Sequence, residues 1–270
     1  MNKKLIHAIG ALMIAGFAGA ASAAPYSWSF TSTATSSTLE SPGFASNVAE
    51  YSAMTYQNVN GRSVTLSAFA NTASGGKIEG AYLNYQGSSG LGVTSRDSWS
   101  NDEVSGGNLN SPQHSFDNHG AVESILFAFD GDFKLDYLDI GWATNDSDLT
   151  VYAFDGGLAS FSTNSILGKD YSTLAGWKKV GSAEGNYTGS TAVNPSARAV
   201  SKLPGEENTY SRYWLITPGG SSDGYKDYTK LAAIAGDWKA SPPAVPEPAS
   251  LALIGTALAG MIAVRRRKAA

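Results

Sequence analysis

An acidic loop near the middle of the chain contains the residue types of a calcium site. Asp117, Asn118 and Glu123 supply carboxylate and amide oxygens just ahead of an apolar run, Ile125–Phe129. Calcium takes roughly six to eight oxygen ligands, and backbone carbonyls often complete its shell. The same residue types also form Asx turns, in which Asp and Asn hydrogen-bond their own backbone. The loop therefore predicts either a calcium site, with these three residues as first-choice ligands, or a turn.

A second oxygen-rich stretch lies about twenty residues further on. Asn145, Asp146 and Asp148 precede another apolar run, Leu149–Phe154. They are the second-choice ligands for a calcium ion. The alternative is a hairpin or a strand-entry turn, for which Asn and Asp are equally suited.

Aromatic residues indicate a different chemistry, the stacking of sugar rings. The chain has 6 Trp and 13 Tyr. Trp99 stands between two serines in an acidic stretch and is predicted to be exposed, as is Trp238. Trp142 and Trp214 lie in alternating segments and are predicted to pack in the core. A lectin-like, carbohydrate-binding module that uses Trp99 is therefore an alternative function.

Signatures of catalysis are absent from the sequence. His114 and His119 are five residues apart, which does not suit a helical zinc pair, and they are expected in loops near the acids. No HExxH, GxSxG or phosphate-binding glycine motif occurs. We predict a protein with no enzymatic activity and no catalytic residues. A secreted hydrolase is the least favoured alternative, because triads and carboxylate pairs assembled from distant positions leave no local pattern.

Charge and cysteine content restrict the partners further. Both ends of the chain together hold six of the 19 basic residues and one of the 23 acidic ones, so residues 24–245 carry 13 bases and 22 acids, a net charge of −9. Nucleic acid is therefore not an expected partner. The chain has no cysteine, which excludes thiol nucleophiles, thiolate metal sites and disulfides.

The segments that carry these residues are predicted to be short β-strands. Runs rich in β-branched and aromatic residues alternate with Gly, Asn, Asp and Ser clusters, and several show a period of two. The predicted strands are Tyr26–Thr31, Tyr51–Val59, Arg62–Ala70, Ile78–Tyr85, Ser124–Phe129, Phe133–Trp142, Leu149–Phe154, Trp177–Gly181, Arg212–Ile216 and Leu231–Ile234. We therefore predict an all-β fold, a single jelly-roll-like β-sandwich.

The N-terminus has the pattern of a secretory signal peptide. Lys3 and Lys4 precede an apolar stretch that ends in the small residues Ala21-Ser22-Ala23. This is the pattern that signal peptidase recognises, and cleavage after Ala23 would leave Ala24 as the first mature residue.

The last 26 residues form a tripartite tail. Val245-Pro246-Glu247-Pro248 is followed by the uncharged residues 249–264 and then by Arg265, Arg266, Arg267 and Lys268. A helix of sixteen residues spans roughly 24 Å, a little short of a hydrocarbon core of about 30 Å. The basic cluster should stay on the cytoplasmic side, which places the preceding chain across the membrane.

This tail closely resembles the PEP-CTERM sorting signal of Gram-negative bacteria, because the Pro-Glu-Pro triplet, the apolar segment and the arginine cluster occur together. The resemblance implies recognition and cleavage by an exosortase. An ordinary single-pass anchor is the alternative, although it has no use for Pro-Glu-Pro. Between Gly90 and Ala235, the Gly-Leu-Gly-Val segment, the Asp-Asn loop and Gly141-Trp142 are similar to the exosortase-dependent surface protein family. That resemblance implies a surface or matrix protein and assigns no catalytic residues.

Together these features predict a signal peptide at 1–23, a β-sandwich ectodomain at 24–236, a linker at 237–244 and a sorting signal at 245–270 with a transmembrane helix at 249–264. We expect an exported protein that is anchored transiently in the membrane, processed by an exosortase, and then located at the cell surface or in a biofilm matrix. Expected partners are signal peptidase, the exosortase and exopolysaccharide or other matrix components, with calcium as the one candidate cofactor.

Overall fold

The computed structural model describes residues 26–40, 49–95, 114–156, 161–185, 189–193, 196–219 and 226–239. The predicted signal peptide, Trp99 and the whole sorting tail from Val245 onward lie outside these residues. Within them, no helix is long and apolar enough to cross a membrane.

The described part of the chain is built from β-strands, which confirms the predicted all-β class. Its helical content is limited to short 3₁₀ turns such as Gly87–Ser89 and Tyr171–Thr173. The strands are β1 Tyr26–Ser29, β2 Ser36–Leu39, β3 Glu50–Gln57, β4 Ser63–Ala73, β5 Lys77–Tyr85, β6 Leu91–Thr94, β7 Phe116–Asp117, β8 Glu123–Asn145, β9 Leu149–Phe154, β10 Trp177–Ala183, β11 Gly189–Val193, β12 Ser196–Ala199, β13 Ser201–Lys202, β14 Ser211–Pro218 and β15 Asp227–Trp238.

Alternation of apolar and polar residues determines which side of each strand is buried. In β4, Val64, Leu66 and Ala68 are buried, as the period of two predicts. Successive side chains in a strand point to opposite faces, so these three pack into the main core. Phe69 points to the opposite face of the sheet. It is buried there as well, with 4% of its surface exposed, because it belongs to a second apolar cluster on that face.

One long strand replaces two that the sequence predicts. Ser124–Phe129 and Phe133–Trp142 are parts of β8, a single strand of 23 residues. The prediction of two strands was wrong because Asp130-Gly131-Asp132 looks like a turn but remains extended. Neighbouring residues hold this stretch in place. The Lys239 N–H donates to the Asp132 carbonyl at 3.0 Å, and the Ser63 N–H donates to the Asp130 carboxylate at 3.0 Å. The Trp238 ring packs against Gly131, where a Cβ atom would approach it to 2.9 Å.

Strand β8 joins the two halves of the fold. Its first half pairs with β4 and β14, and its second half pairs with β15 and β12, all antiparallel. The described strands form one continuous sheet in the order β1-β15-β6-β5-β3-β4-β8-β14-β9-β10-β13, from which β2, β7, β11 and β12 branch. The main core, which includes Trp28, Phe127 and Trp214, lies on one side of this sheet.

Other differences from the sequence prediction concern short or terminal strands. The segments β2, β7, β12 and β13 have two to four residues each, too few to show a period. At the C-terminal side, β15 continues through Trp238, so Asp237 and Trp238 are strand residues and do not belong to the predicted linker at 237–244.

Candidate functional site

Three buried carboxylates meet at one end of the sheet. Asp146, Asp148 and Asp227 each place an oxygen within 4.8 Å of the others. Their exposed fractions are 1%, 3% and 3%. We call this group the aspartate triad. Two of its members were predicted as second-choice calcium ligands, and the third was not predicted.

The end of β8 positions the triad. Asn145 adopts a left-handed backbone with φ of 61°, a conformation that Asn tolerates better than most residues. The chain then turns so that Asp146 forms a bridge to Asp227, the first residue of β15. Asp148 follows immediately before β9. The turn predicted for this stretch is therefore present, and it also places Asp146 and Asp148 in the carboxylate cluster.

Backbone N–H groups hold each carboxylate. The Asp148 N–H donates to Asp227 Oδ1 at 2.6 Å, and the Ser147 N–H donates to Asp146 Oδ1 at 2.7 Å. The Gly185 N–H donates to Asp148 Oδ1. These donors fix the orientation of the carboxylates, and the bond from the Asp148 N–H favours the charged form of Asp227.

Asn118 links the first predicted loop to the triad. Its side-chain Nδ2 donates to Asp227 Oδ2 at 2.6 Å, and its Oδ1 accepts from the Asp227 N–H at 3.0 Å. Asn145 lies at the edge, where its side-chain amide donates to the Lys226 carbonyl at 2.7 Å. The structure therefore brings Asn118, one of the first-choice calcium ligands, next to the site that contains the second-choice ligands Asp146 and Asp148.

The other two first-choice residues form a separate buried pair. The Asp117 N–H donates to Glu123 Oε2 at 3.1 Å. The Asp117 carboxylate accepts from the Ser115 hydroxyl at 2.6 Å and from the His119 N–H at 2.9 Å. The bond from His119 is an Asx turn, so the turn interpretation applies to Asp117. Neither residue belongs to the triad.

Burial and mutual repulsion make full ionisation of the triad unfavourable. Burial raises the pKa of Asp227 to about 7, and the charges of Asp146 and Asp148 add to this, while hydrogen bonds from the Asp148 N–H and Asn118 oppose it. Arg198 is the cation coupled to all three carboxylates. Burial lowers its pKa, and the three aspartates counteract that effect.

Arg198 does not neutralise the triad by a direct ion pair among the described residues. Its Nη1 donates instead to the Ser147 carbonyl at 2.8 Å. Mutual repulsion between Asp146, Asp148 and Asp227 opposes the ionisation of Asp227 in this buried position. A divalent cation bound by the carboxylate oxygens would relieve this repulsion, and so would a proton retained on Asp227.

Asp227 was not predicted as a metal ligand because no local sequence pattern distinguishes it. It lies 79 residues from Asp148 in the sequence and stands alone among Lys, Tyr and Thr at the start of β15. Only the pairing of β15 with the end of β8 brings it to the triad.

None of the described histidine or tryptophan side chains belongs to the triad. His114 is buried, with Nδ1 3.1 Å from Thr94 Oγ1, and the His119 ring lies 5.9 Å from the Tyr228 ring. Trp214 is fully buried, as predicted, whereas Trp142 is half-buried. Trp238, predicted to be exposed, is also half-buried, because it packs edge-on against the core rings.

Comparison with known families identifies the tail. Residues 244–268 match the family model described as the PEP-CTERM protein-sorting motif. No curated protein matches the chain.

The chain therefore carries a PEP-CTERM sorting signal, as its residues predicted. Such a signal marks an exported protein that an exosortase sorts to the cell surface. The similarity of Gly90 to Ala235 to the exosortase-dependent surface protein family stays a prediction.

Proposed function

We propose that the mature protein is a non-catalytic component of the cell surface or extracellular matrix of a Gram-negative bacterium, with an all-β, jelly-roll-like sandwich stabilised by calcium. The observation that carries this proposal is the aspartate triad, with three buried carboxylates within 4.8 Å of one another. The protein would be anchored transiently through residues 249–264, cut near Pro-Glu-Pro and then associate with exopolysaccharide.

The ligand set favours calcium over other metals. Every candidate donor at the triad is an oxygen, from Asp146, Asp148 and Asp227, with Asn118 holding Asp227 in place. Zinc and copper prefer imidazole or thiolate ligands. Magnesium requires a near-ideal octahedron at about 2.1 Å and keeps most of its water, which a buried site does not suit.

A structural role fits the position of the triad. It ties the turn after β8 to the start of β15, and through Asn118 to the loop after β7. A cation there would crosslink three segments in an exported protein that has no disulfides. Metal binding to the folded state alone adds its binding free energy to folding stability.

The test is a thermal melt of the full-length protein in mild detergent, first with EDTA and then with millimolar calcium. At a hundred times its Kd a ligand stabilises by about 2.7 kcal/mol. At roughly 2–4 °C per kcal/mol this raises the Tm by about 5–10 °C. Asp146→Asn should abolish the rise, whereas Asp155→Asn, at an exposed position, should preserve it. An identical Tm in EDTA and calcium would refute the calcium site.

A further inference from the structure

The side of the sheet opposite the main core carries a surface that does not include the aspartate triad. It is formed by β1, β15, the second half of β8, and β12. Along these strands Trp28, Ile234 and Leu138 are buried in the core. Their sequence neighbours therefore point outward.

The register arranges the outward residues in two straight rows. In the first row Tyr137 of β8 lies opposite Ala235 and Ala199, and Ala235 lies opposite Ser27. In the second row Asp139 lies opposite Ala233 and Ala197, and Ala233 lies opposite Ser29. We call these eight residues the outer face.

The composition of the outer face makes it flat. Apart from Tyr137 and Asp139, its side chains are methyl or hydroxymethyl groups. Four strands at about 4.8 Å spacing make it roughly 14 Å wide from β1 to β12. Tyr137 stands above this floor, with 45% of its surface exposed. The half-buried Trp142, with Lys230 Nζ 5.0 Å above its ring, lies further along β8, about 16 Å from Tyr137 at 3.3 Å per residue.

Asp139 is an unused hydrogen-bond acceptor on this face. It is half-buried, and it makes no hydrogen bond or ion pair within the described part of the chain. Burial alone raises the pKa of its carboxyl group. A half-buried carboxylate has lost part of its hydration, which is unfavourable unless another hydrogen-bond donor replaces the missing water. A ligand that donates hydrogen bonds would satisfy it.

These features select one class of occupant. A protein partner would need large apolar side chains to bury, and the eight residues include no Leu, Ile, Val, Met or Phe. A sugar ring offers a flat C–H face for Tyr137 and hydroxyl donors for Asp139. The only charge in the two rows is negative, which disfavours an anionic polymer.

We propose that the outer face binds a neutral polysaccharide chain, with sugar rings stacked on Tyr137 and hydroxyl groups donating to the Asp139 carboxylate. The chain lies across the floor of alanine and serine side chains. This inference rests on the proposed association with exopolysaccharide and gives it a site. It does not depend on the calcium triad.

Affinity electrophoresis of the full-length protein in mild detergent tests the site. The native gels contain hydroxyethyl cellulose or dextran as neutral polymers, or alginate as an anionic one. The wild-type protein should be retarded by a neutral polymer and not by alginate. Tyr137→Ala and Asp139→Asn should each weaken binding by roughly tenfold. Ala197→Lys, which places a long side chain on the floor without touching the core, should also block it.

A matched control separates this site from any other. Tyr210 is a half-buried tyrosine that is not one of the eight outer-face residues and lines a cleft with Asp155 and Lys178, so Tyr210→Ala should leave retardation unchanged. If only Tyr210→Ala weakens binding, or if Tyr137→Ala has no effect, the polysaccharide association survives and the outer face is the wrong site.

Three further outcomes overturn the inference in distinguishable ways. Absence of retardation in all three polymers removes the outer-face site and the polysaccharide association together, and leaves the calcium result untouched. Retardation by alginate alone removes the outer-face site and leaves the polysaccharide association. Sedimentation that shows a dimer dependent on Tyr137, without polysaccharide binding, means that a second copy of the chain covers this face. Unchanged Tm values for the variants exclude misfolding as the cause of any loss.

Discussion

Asn118 and Asp227, 109 residues apart in the sequence, bind each other through two hydrogen bonds. The amide of Asn118 donates to the carboxylate of Asp227 at 2.6 Å, and its oxygen accepts from the Asp227 backbone N–H at 3.0 Å. This pair joins the loop after β7 to the start of β15. It also fixes one carboxylate of the aspartate triad, so the triad and the packing of this end of the sheet depend on each other.

Replacing Asn118 by alanine should destabilise the fold. The substitution leaves a buried carboxylate oxygen and a backbone N–H without partners, which costs about 1–3 kcal/mol. Urea denaturation followed by tryptophan fluorescence measures the change. Asn164→Ala, at an exposed position, is the control and should change stability by less than about 0.5 kcal/mol. Equal effects of the two substitutions would contradict the role of the pair.

Stability in the absence of calcium should fall as the pH rises towards neutrality. The pKa of Asp227 is about 7 in the folded protein, above its ordinary value of 3.8. The stabilisation from its bound proton is therefore complete below about pH 4 and is lost as the pH rises through 7. At about 1.4 kcal/mol per pKa unit, the loss amounts to a few kcal/mol.

Melts in EDTA between pH 5 and 8 measure this dependence. Calcium should flatten it, since a cation favours the ionised carboxylate. Asp227→Asn should remove most of it, whereas Asp155→Asn should not. Among the described residues, Asp146, Asp148 and Arg198 are the charged groups coupled to Asp227. A Tm that stays level over this range in EDTA would show that Asp227 ionises without cost.

Alanine at Pro246, Glu247 and Pro248 should prevent processing. These residues lie inside the matched sorting motif, and their loss should leave the full-length protein in the membrane fraction. Immunoblots of membrane and culture fractions measure size and release. Replacing Pro242 and Pro243, which precede the motif, by alanine is the control and should preserve processing. Unchanged release of the triple variant would mean that another signal directs sorting.

Trp214→Phe should lower the free energy of unfolding, because the substitution removes the indole N–H donor from the core. The Trp214 Nε1 donates to the carbonyls of Phe133 and Ser211, each at 3.0 Å, in a fully buried position. Removing this donor and part of the ring should cost about 1–3 kcal/mol. Trp142→Phe, at a half-buried site, should have a smaller effect on the urea midpoint. A larger effect at Trp142 would contradict this account of the core.

Runs of β-branched and aromatic residues predicted several of the strands, and local pattern predicted the triad only in part. Leu149–Phe154 is β9 with the bounds expected from its residues, because both faces of that strand are apolar and turn residues flank it. Asp146 and Asp148 were recognisable as oxygen ligands next to each other in the chain. Asp227 was not, since a single acid at the start of a strand is ordinary.

The sequence by itself determined the class of fold and the destination of the protein. Strand periodicity depends on neighbouring residues, and the sorting motif is a contiguous segment, so both can be read without a structure. The tertiary structure decided what long-range pairing controls: that β8 runs unbroken through Asp130-Gly131-Asp132, that Asp227 meets Asp146 and Asp148, and that Tyr137 and Asp139 share a flat outer face. Register across distant strands sets these relationships, because each strand places its side chains opposite partners that are far away in the sequence.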